Sequence, residues 1–311
     1  MLSRRLIRVK VMQTLYSLIE QGNLNLNDAD KQLQHSIAKS QELYHLILQL
    51  PSAVRRLAAK KIEIGRSKLR PTPAELNPNM RFANNRLILQ LEENEQLNKV
   101  IETEGNTWSQ DETVIKTIFS KLSHTEAYNK YMDAVDDTFE IDKSFVLRFL
   151  GKELPKMAFF FQALELKSVF WNDEAEFMIS MAMKTIKDFD GNNGASVELM
   201  PLYKDQDDID FTNKLLQRSI LEKDSTMELI KKYSKNWDAD RVALMDIILI
   251  DMAIAEMTTM VNIPIKVTLN EYIEISKFYS TDKSNSYING LLEKIVRQLV
   301  EEKKINEAQL F

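Results

Sequence analysis

Nearly every segment of this chain repeats apolar residues at i, i+3, i+4 and i+7, the spacing that lines one face of an α-helix. Few alternatives survive, because 311 residues with only 7 Gly and 7 Pro lack the turn punctuation of strand-rich folds. The spacing predicts helices over 3–21, 28–64 (interrupted at Pro51), 82–103, 110–121, 124–137, 142–151, 155–169 and 173–188. It predicts five more over 208–222, 225–234, 239–260, 270–279 and 284–304. KLRPTPAELNPN (68–79) and the Gly/Asn-rich DFDGNNGASVELMP (188–201) read as loops, and Ile263–Val267 as a short extended piece. The expected fold class is all-α.

Trp108, Trp171 and Trp237 each head a similar segment, with a polar capping candidate and carboxylates in the first turn. A Trp stapled at the mouth of a helix explains all three, and Ser109 with Glu112 fits a capping box. An internal duplication would leave the same pattern.

Hydrophobic residues at 44% and charged residues at 28% describe an ordinary globular chain, long enough for one large domain or two smaller ones. A net charge of −5 argues against generic affinity for nucleic acid. Without cysteine there is no disulfide, no Cys-ligated metal and no thiol nucleophile. The apolar positions after the basic start are spaced amphipathically, unlike a signal peptide, and no apolar run is long enough to span a bilayer. The expected location is the cytoplasm, with no membrane partner.

The residues offer no assembled catalytic site. His35, His45 and His124 share no metal-type spacing, and phosphate-cradling glycine motifs and nucleophile elbows are absent. DQDDID (205–210) lacks the glycine and terminal glutamate of a calcium loop and reads more simply as helix capping. Glu271 and Glu274 read as complements to a helix start at Asn270. Neither an enzyme, a metal nor a cofactor is expected.

The opening MLSRRLIRVKVMQTLYSLIEQ places Arg4, Arg5, Arg8 and Lys10 at the positive end of a helix, where cations are mildly unfavourable. At about 100° per residue the arginines share a face with Met12, Leu15, Tyr16 and Ile19. One stripe is then basic for two turns and apolar afterwards. The simplest geometry docks the second half and lets the first project beyond the core, its cations without internal partners. Phosphates would suit them; an ordinary solvated terminus is the alternative.

IPIKVTLNEYIEISKFYSTDKSNSYINGLLEKI (263–295) carries a Pro-x-Lys-Val lead (Pro264, Lys266, Val267) and an Asn-Glu helix start (Asn270, Glu271). Lys277, a loop with Asp282 and Ser284, and an aromatic-x-Asn-Gly element (Tyr287, Asn289, Gly290) follow. Upstream, RVALMDIILIDMAIAEM (241–257) contains Glu256, and the opening reads RR-x-x-R…Q-x-LY through Arg4, Arg5, Arg8, Gln13, Leu15 and Tyr16. Together these blocks resemble the NusB family of bacterial transcription antitermination factors. The middle of the chain resembles the helical insertion of its long Bacteroidetes-type members.

Local physics reads the same residues separately. Pro264 favours an extended approach and Asn270 a helix cap. Gly290 inside a helix costs about 1 kcal/mol relative to Ala, which points to close approach by another helix. Tyr287 beside Lys283 and Ser284 suits stacking on an unpaired base, or else packs at the rim of the core. Asn289 is a helix-packing residue or a base reader.

The resemblance implies a NusB-like helical bundle over 1–24 and 200–311, enlarged by an inserted helical region over 25–199. It implies binding of boxA-type single-stranded RNA with ribosomal protein NusE, within the antitermination complex on RNA polymerase, in support of ribosomal RNA transcription. By the same resemblance Arg4, Arg5, Arg8, Gln13, Lys283, Ser284 and Tyr287 would meet RNA, with Lys10 added on charge. Tyr16, Asp240 and Asp246 would meet the ribosomal protein. Asp251 stands where many members have arginine. Two alternatives remain: a scaffold that kept the fold without RNA, and a domain associated with ribosomal RNA methyltransferases, whose catalytic cysteines this chain lacks.

Overall fold

The computed structural model describes residues 1–234 and 242–305. Helices account for most of them: α1 (Arg4–Glu20), α2 (Leu26–Arg66), α3 (Pro73–Leu76), α4 (Arg86–Glu93), α5 (Glu95–Glu104), α6 (Glu112–Ser123), α7 (Glu126–Met132) and α8 (Phe139–Arg148). After a short π turn come α9 (Ala158–Lys167), α10 (Ala175–Lys187), α11 (Gln206–Leu221), α12 (Lys223–Tyr233), α13 (Leu244–Thr259), α14 (Ile265–Tyr279) and α15 (Ser284–Glu301). No strand occurs among the described residues, and no helix there is long and apolar enough to cross a membrane. The fold is all-α.

The chain divides into two compact units, Met1–Ile37 with Leu202–Phe311, and Ala38–Pro201. The expected division falls earlier, at 24/25 and 199/200. The first turns of α2 account for the difference, since Ala29, Leu33 and Ile37 are fully buried and the helix starts at Leu26 without a break.

In the first unit α13 is the central helix. Residues Ile248 to Met257 are buried without interruption, as expected of a helix that is apolar all round. It packs against α1, α11, α12, α14 and α15. Ser3 caps α1 by accepting from the Leu6 amide at 3.2 Å, and Asp205 caps α11 by accepting from the Asp208 amide at 3.1 Å.

The second unit is built on residues 38–66 of α2. Trp108 and Trp171 each lie in a short 3-10 turn and donate their indole N–H groups to Leu46 and Lys39 carbonyls, at 2.8 and 2.7 Å. Phe82, Phe119, Tyr128, Tyr131 and Phe145 form a second aromatic cluster.

Several local expectations are corrected. α2 runs straight through Pro51, because Leu43–Leu50 are buried and packing outweighs the one amide donor that proline lacks. The expected helix over 82–103 is two helices. Asn94 separates them: its carbonyl oxygen caps α5, while its amide N–H groups donate to Gly194 and Val197. Ile263–Val267 is not extended, since Pro264 caps α14 and leaves Asn270 inside that helix. Ser109 belongs to a 3-10 turn, and Asp111 stands at the start of α6. Gly290 faces open space, so no close helix approach explains it. Trp237 lies outside the described residues.

Candidate nucleic-acid interface

The first two turns of α1 do not project past the core. Leu6 through Met12 are all buried, and each arginine meets a carboxylate from a distant part of the chain. Arg4 Nε lies 3.0 Å from Asp208 Oδ1, with the guanidinium 5.3 Å from the centre of the Phe211 ring. Arg5 binds Glu271 through two bonds of 2.8 Å. Arg8, 3% exposed, binds Glu256 through bonds of 2.7 and 2.6 Å.

Glu256 also accepts from Thr268 Oγ1 at 2.8 Å and from the Tyr272 hydroxyl at 3.0 Å, so both carboxylate oxygens are fully used. Burial disfavours a charged guanidinium, yet the bonds and charge of Glu256 outweigh it and raise the Arg8 pKa above its ordinary value. Burial, reinforced by the Glu256 charge, pushes the Tyr272 hydroxyl well up. The hydrogen bonds from Arg5 hold Glu271 below its ordinary value.

A second polar cluster lies where α13 begins. Asp246 accepts from Ser280 Oγ at 2.5 Å and from Ser284 Oγ at 2.8 Å, and it is 5% exposed. The Tyr287 hydroxyl is 2.9 Å from Ser234 Oγ, and burial raises its pKa. Asn289 donates to Glu293 along its own helix.

Burial therefore corrects the expectation that Arg8, Lys10, Ser284 and Asp246 present themselves at the surface. Arg8 and Asp246 are held by internal partners, Lys10 is fully buried, and Ser284 serves Asp246. Arg5, Lys283 and Tyr16 are exposed; Arg4, Gln13 and Tyr287 are half-buried. Asp240 lies outside the described residues. The expected set also splits in two. Arg8 is anchored at Glu256 and Ser284 at Asp246, ten residues apart on α13, or about 15 Å along its axis.

The acidic partners Asp208, Glu256 and Glu271 are absent from the expected site. Glu256 carried a signal: a carboxylate in a mostly apolar, buried helix either finds an internal cation or is held protonated. Asp251 on the same helix is also buried, without a partner for Oδ1 among the described residues. Burial pushes its pKa up to about 7, and the neighbouring Thr226 hydroxyl offsets only part of that. This residue belongs to the interior, so its carboxylate does not subtract from a surface charge.

The NusB family model matches residues 177–297, which span α11–α14 with most of α10 and α15 but not α1. The transcription antitermination protein NusB of Dictyoglomus turgidum is 41% identical over 97 residues, 31% of this chain and 67% of that protein. Its counterpart in Salinibacter ruber is 32% identical over 108 residues, 35% of this chain and 68% of that protein. For the Natranaerobius thermophilus protein the match is 42% over 72 residues, 23% of this chain and about half (52%) of that relative. No solved structure matches this chain. Two relatives above 30% identity, each covered over two thirds of its length, carry the conclusion that the chain belongs to the NusB family.

Proposed function

We propose that this protein is a non-catalytic transcription antitermination factor of the cytoplasm. In this reading it binds boxA-type single-stranded RNA jointly with ribosomal protein NusE and acts on elongating RNA polymerase during ribosomal RNA transcription. The observation that carries the reading is the family match over 177–297, the segment that supplies the carboxylates of both polar clusters. Arg4, Arg5, Gln13, Lys283 and Tyr287 are the RNA-facing candidates that keep solvent access. Arg8, Lys10 and Ser284 support that surface from beneath, and Tyr16 is the exposed candidate for the ribosomal protein.

Fluorescence anisotropy with a boxA-like strand, at several salt concentrations and with or without NusE, tests the reading. Expected are salt-dependent binding, a gain in affinity with NusE, and a weaker, flatter response in an Arg4→Ala/Arg5→Ala variant. No binding under either condition would sink it.

The ion pairing of Arg4 and Arg5 favours one other reading, a helical scaffold that holds the ribosomal protein without RNA. A pull-down that retains NusE and no RNA would select it.

A further inference from the structure

On α1, the cations expected to take phosphate are consumed by carboxylates or buried. Residues 55–70, in the second unit, show the opposite. RRLAAKKIEIGRSKLR holds seven cationic side chains and one carboxylate, Glu63, in a chain whose net charge is −5. Arg55 and Arg56 are tied to Glu92, and Lys68 to Glu75. Lys60, Lys61, Arg66 and Arg70 are exposed and form no ion pair among the described residues.

Complementing the helix end explains only part of this. Arg66 lies in the last turn of α2, where the macrodipole favours a cation. Lys60 and Lys61 stand more than a turn earlier, and Arg70 lies beyond the helix altogether. From Arg56 to Arg66 the exposed cations extend about 15 Å along the axis, room for several phosphates of a single strand.

Beside them lies a hollow of about 360 Å³, lined by Lys61, Lys68, Phe82, Phe119 and Tyr128. Lys61 Nζ sits 4.8 Å from the centre of the Phe119 ring, and both Phe119 and Tyr128 are half-exposed. The Tyr128 hydroxyl bonds to none of the described residues; burial pushes its pKa up to about 12. Exposed cations beside partly exposed aromatic rings that line a hollow are elements that bind a single strand without regard to sequence. An acidic peptide needs only the charges, and rings set in a hollow are poorly placed to insert into an anionic lipid surface.

We propose that residues 56–70, with the Phe119–Tyr128 hollow, form a second RNA-binding surface that takes the phosphate backbone of single-stranded RNA and stacks an unpaired base. This extends the RNA-binding reading above to the second unit, and it can fail or stand separately.

The test compares the full chain with a Lys60→Gln/Arg66→Gln/Arg70→Gln variant, all three positions being exposed and without an ion pair among the described residues. Two probes are titrated across a salt series: poly-U of about 30 nucleotides, and a short boxA oligonucleotide. The wild type should bind poly-U, and the variant more weakly, with a log K against log salt slope flatter by about 2 units for three lost phosphate contacts. Short boxA binding should be unchanged in the variant. A Phe119→Leu variant should weaken poly-U binding while leaving the salt slope unchanged.

Equal poly-U binding by wild type and triple variant would overturn the proposal, as would no binding by the wild type. Retention on anionic vesicles or polyglutamate without poly-U binding would overturn it in favour of those partners. Loss of poly-U binding in the variant, with boxA ignored by both proteins even when NusE is added, would uphold this surface while sinking the antitermination reading.

Discussion

Arg8 and Glu256 lie 248 positions apart in sequence and share two hydrogen bonds in the interior, with side-chain exposures of 3% and 0%. Thr268 and Tyr272 complete the shell of the carboxylate, so α1, α13 and α14 are joined by one polar network. Breaking one partner of such a pair leaves a buried charge. Glu256→Gln should therefore destabilise the protein by about 3–5 kcal/mol in denaturant unfolding. Replacing both members with apolar residues of similar volume should recover most of that. A single-mutant loss below about 1 kcal/mol would show the pair to be solvated.

Arg5 and Glu271 make an equally well-formed pair in a different setting, with Arg5 half in solvent. Such a pair is worth about 1 kcal/mol or less. Glu271 also lies 3.6 Å from the buried Arg8, so Glu271→Gln should cost about 1 kcal/mol, far less than Glu256→Gln. It should, however, release the Arg5 guanidinium for phosphate. The expected outcome is tighter boxA binding with a steeper salt dependence. Unchanged or weaker binding would argue that Arg5 does not face RNA.

Asp251 gives stability a pH dependence of known sign. Its pKa is raised from an ordinary 3.8 to about 7 in the folded state. Between those values the folded chain keeps a proton that the unfolded chain has released. This group's contribution therefore falls as pH rises from about 4 to about 7 and levels off above that. Asp251→Asn should be more stable than wild type at pH 8 and lose this part of the pH dependence, as read from melting temperatures. Identical pH profiles for the two proteins would contradict the assignment.

Gly194 is held where a side chain does not fit. A Cβ there would lie 2.3 Å from Gln90 Cβ, and the Gly194 carbonyl accepts from Asn94. Gly194→Ala should cost about 1–3 kcal/mol through a forced backbone shift. Gly191→Ala, with nothing within 4 Å, is the control and should be nearly neutral. Equal melting temperatures for the two variants would refute the steric argument.

That this chain is helical was legible residue by residue, and the reason is local. Apolar spacing and the scarcity of Gly and Pro act within a few residues, and they located most helices to within a turn. The family was legible too, because the spacing from Pro264 to Gly290 is itself a linear signal. Tertiary structure decided what the helices do with their charges. The wheel placed Arg8 on the apolar stripe of α1 and pointed to an end that projects, whereas the fold covers it. That outcome depended on Asp208, Glu256 and Glu271, which approach only after α11, α13 and α14 have packed. Pro51 shows the same physics: a local rule calls for a break, and burial of the neighbouring turns overrides it. Ion pairing is non-local and weak in water but strong once desolvated. A cation's exposure, and with it any claim to phosphate, is therefore fixed by the fold rather than by the sequence around it.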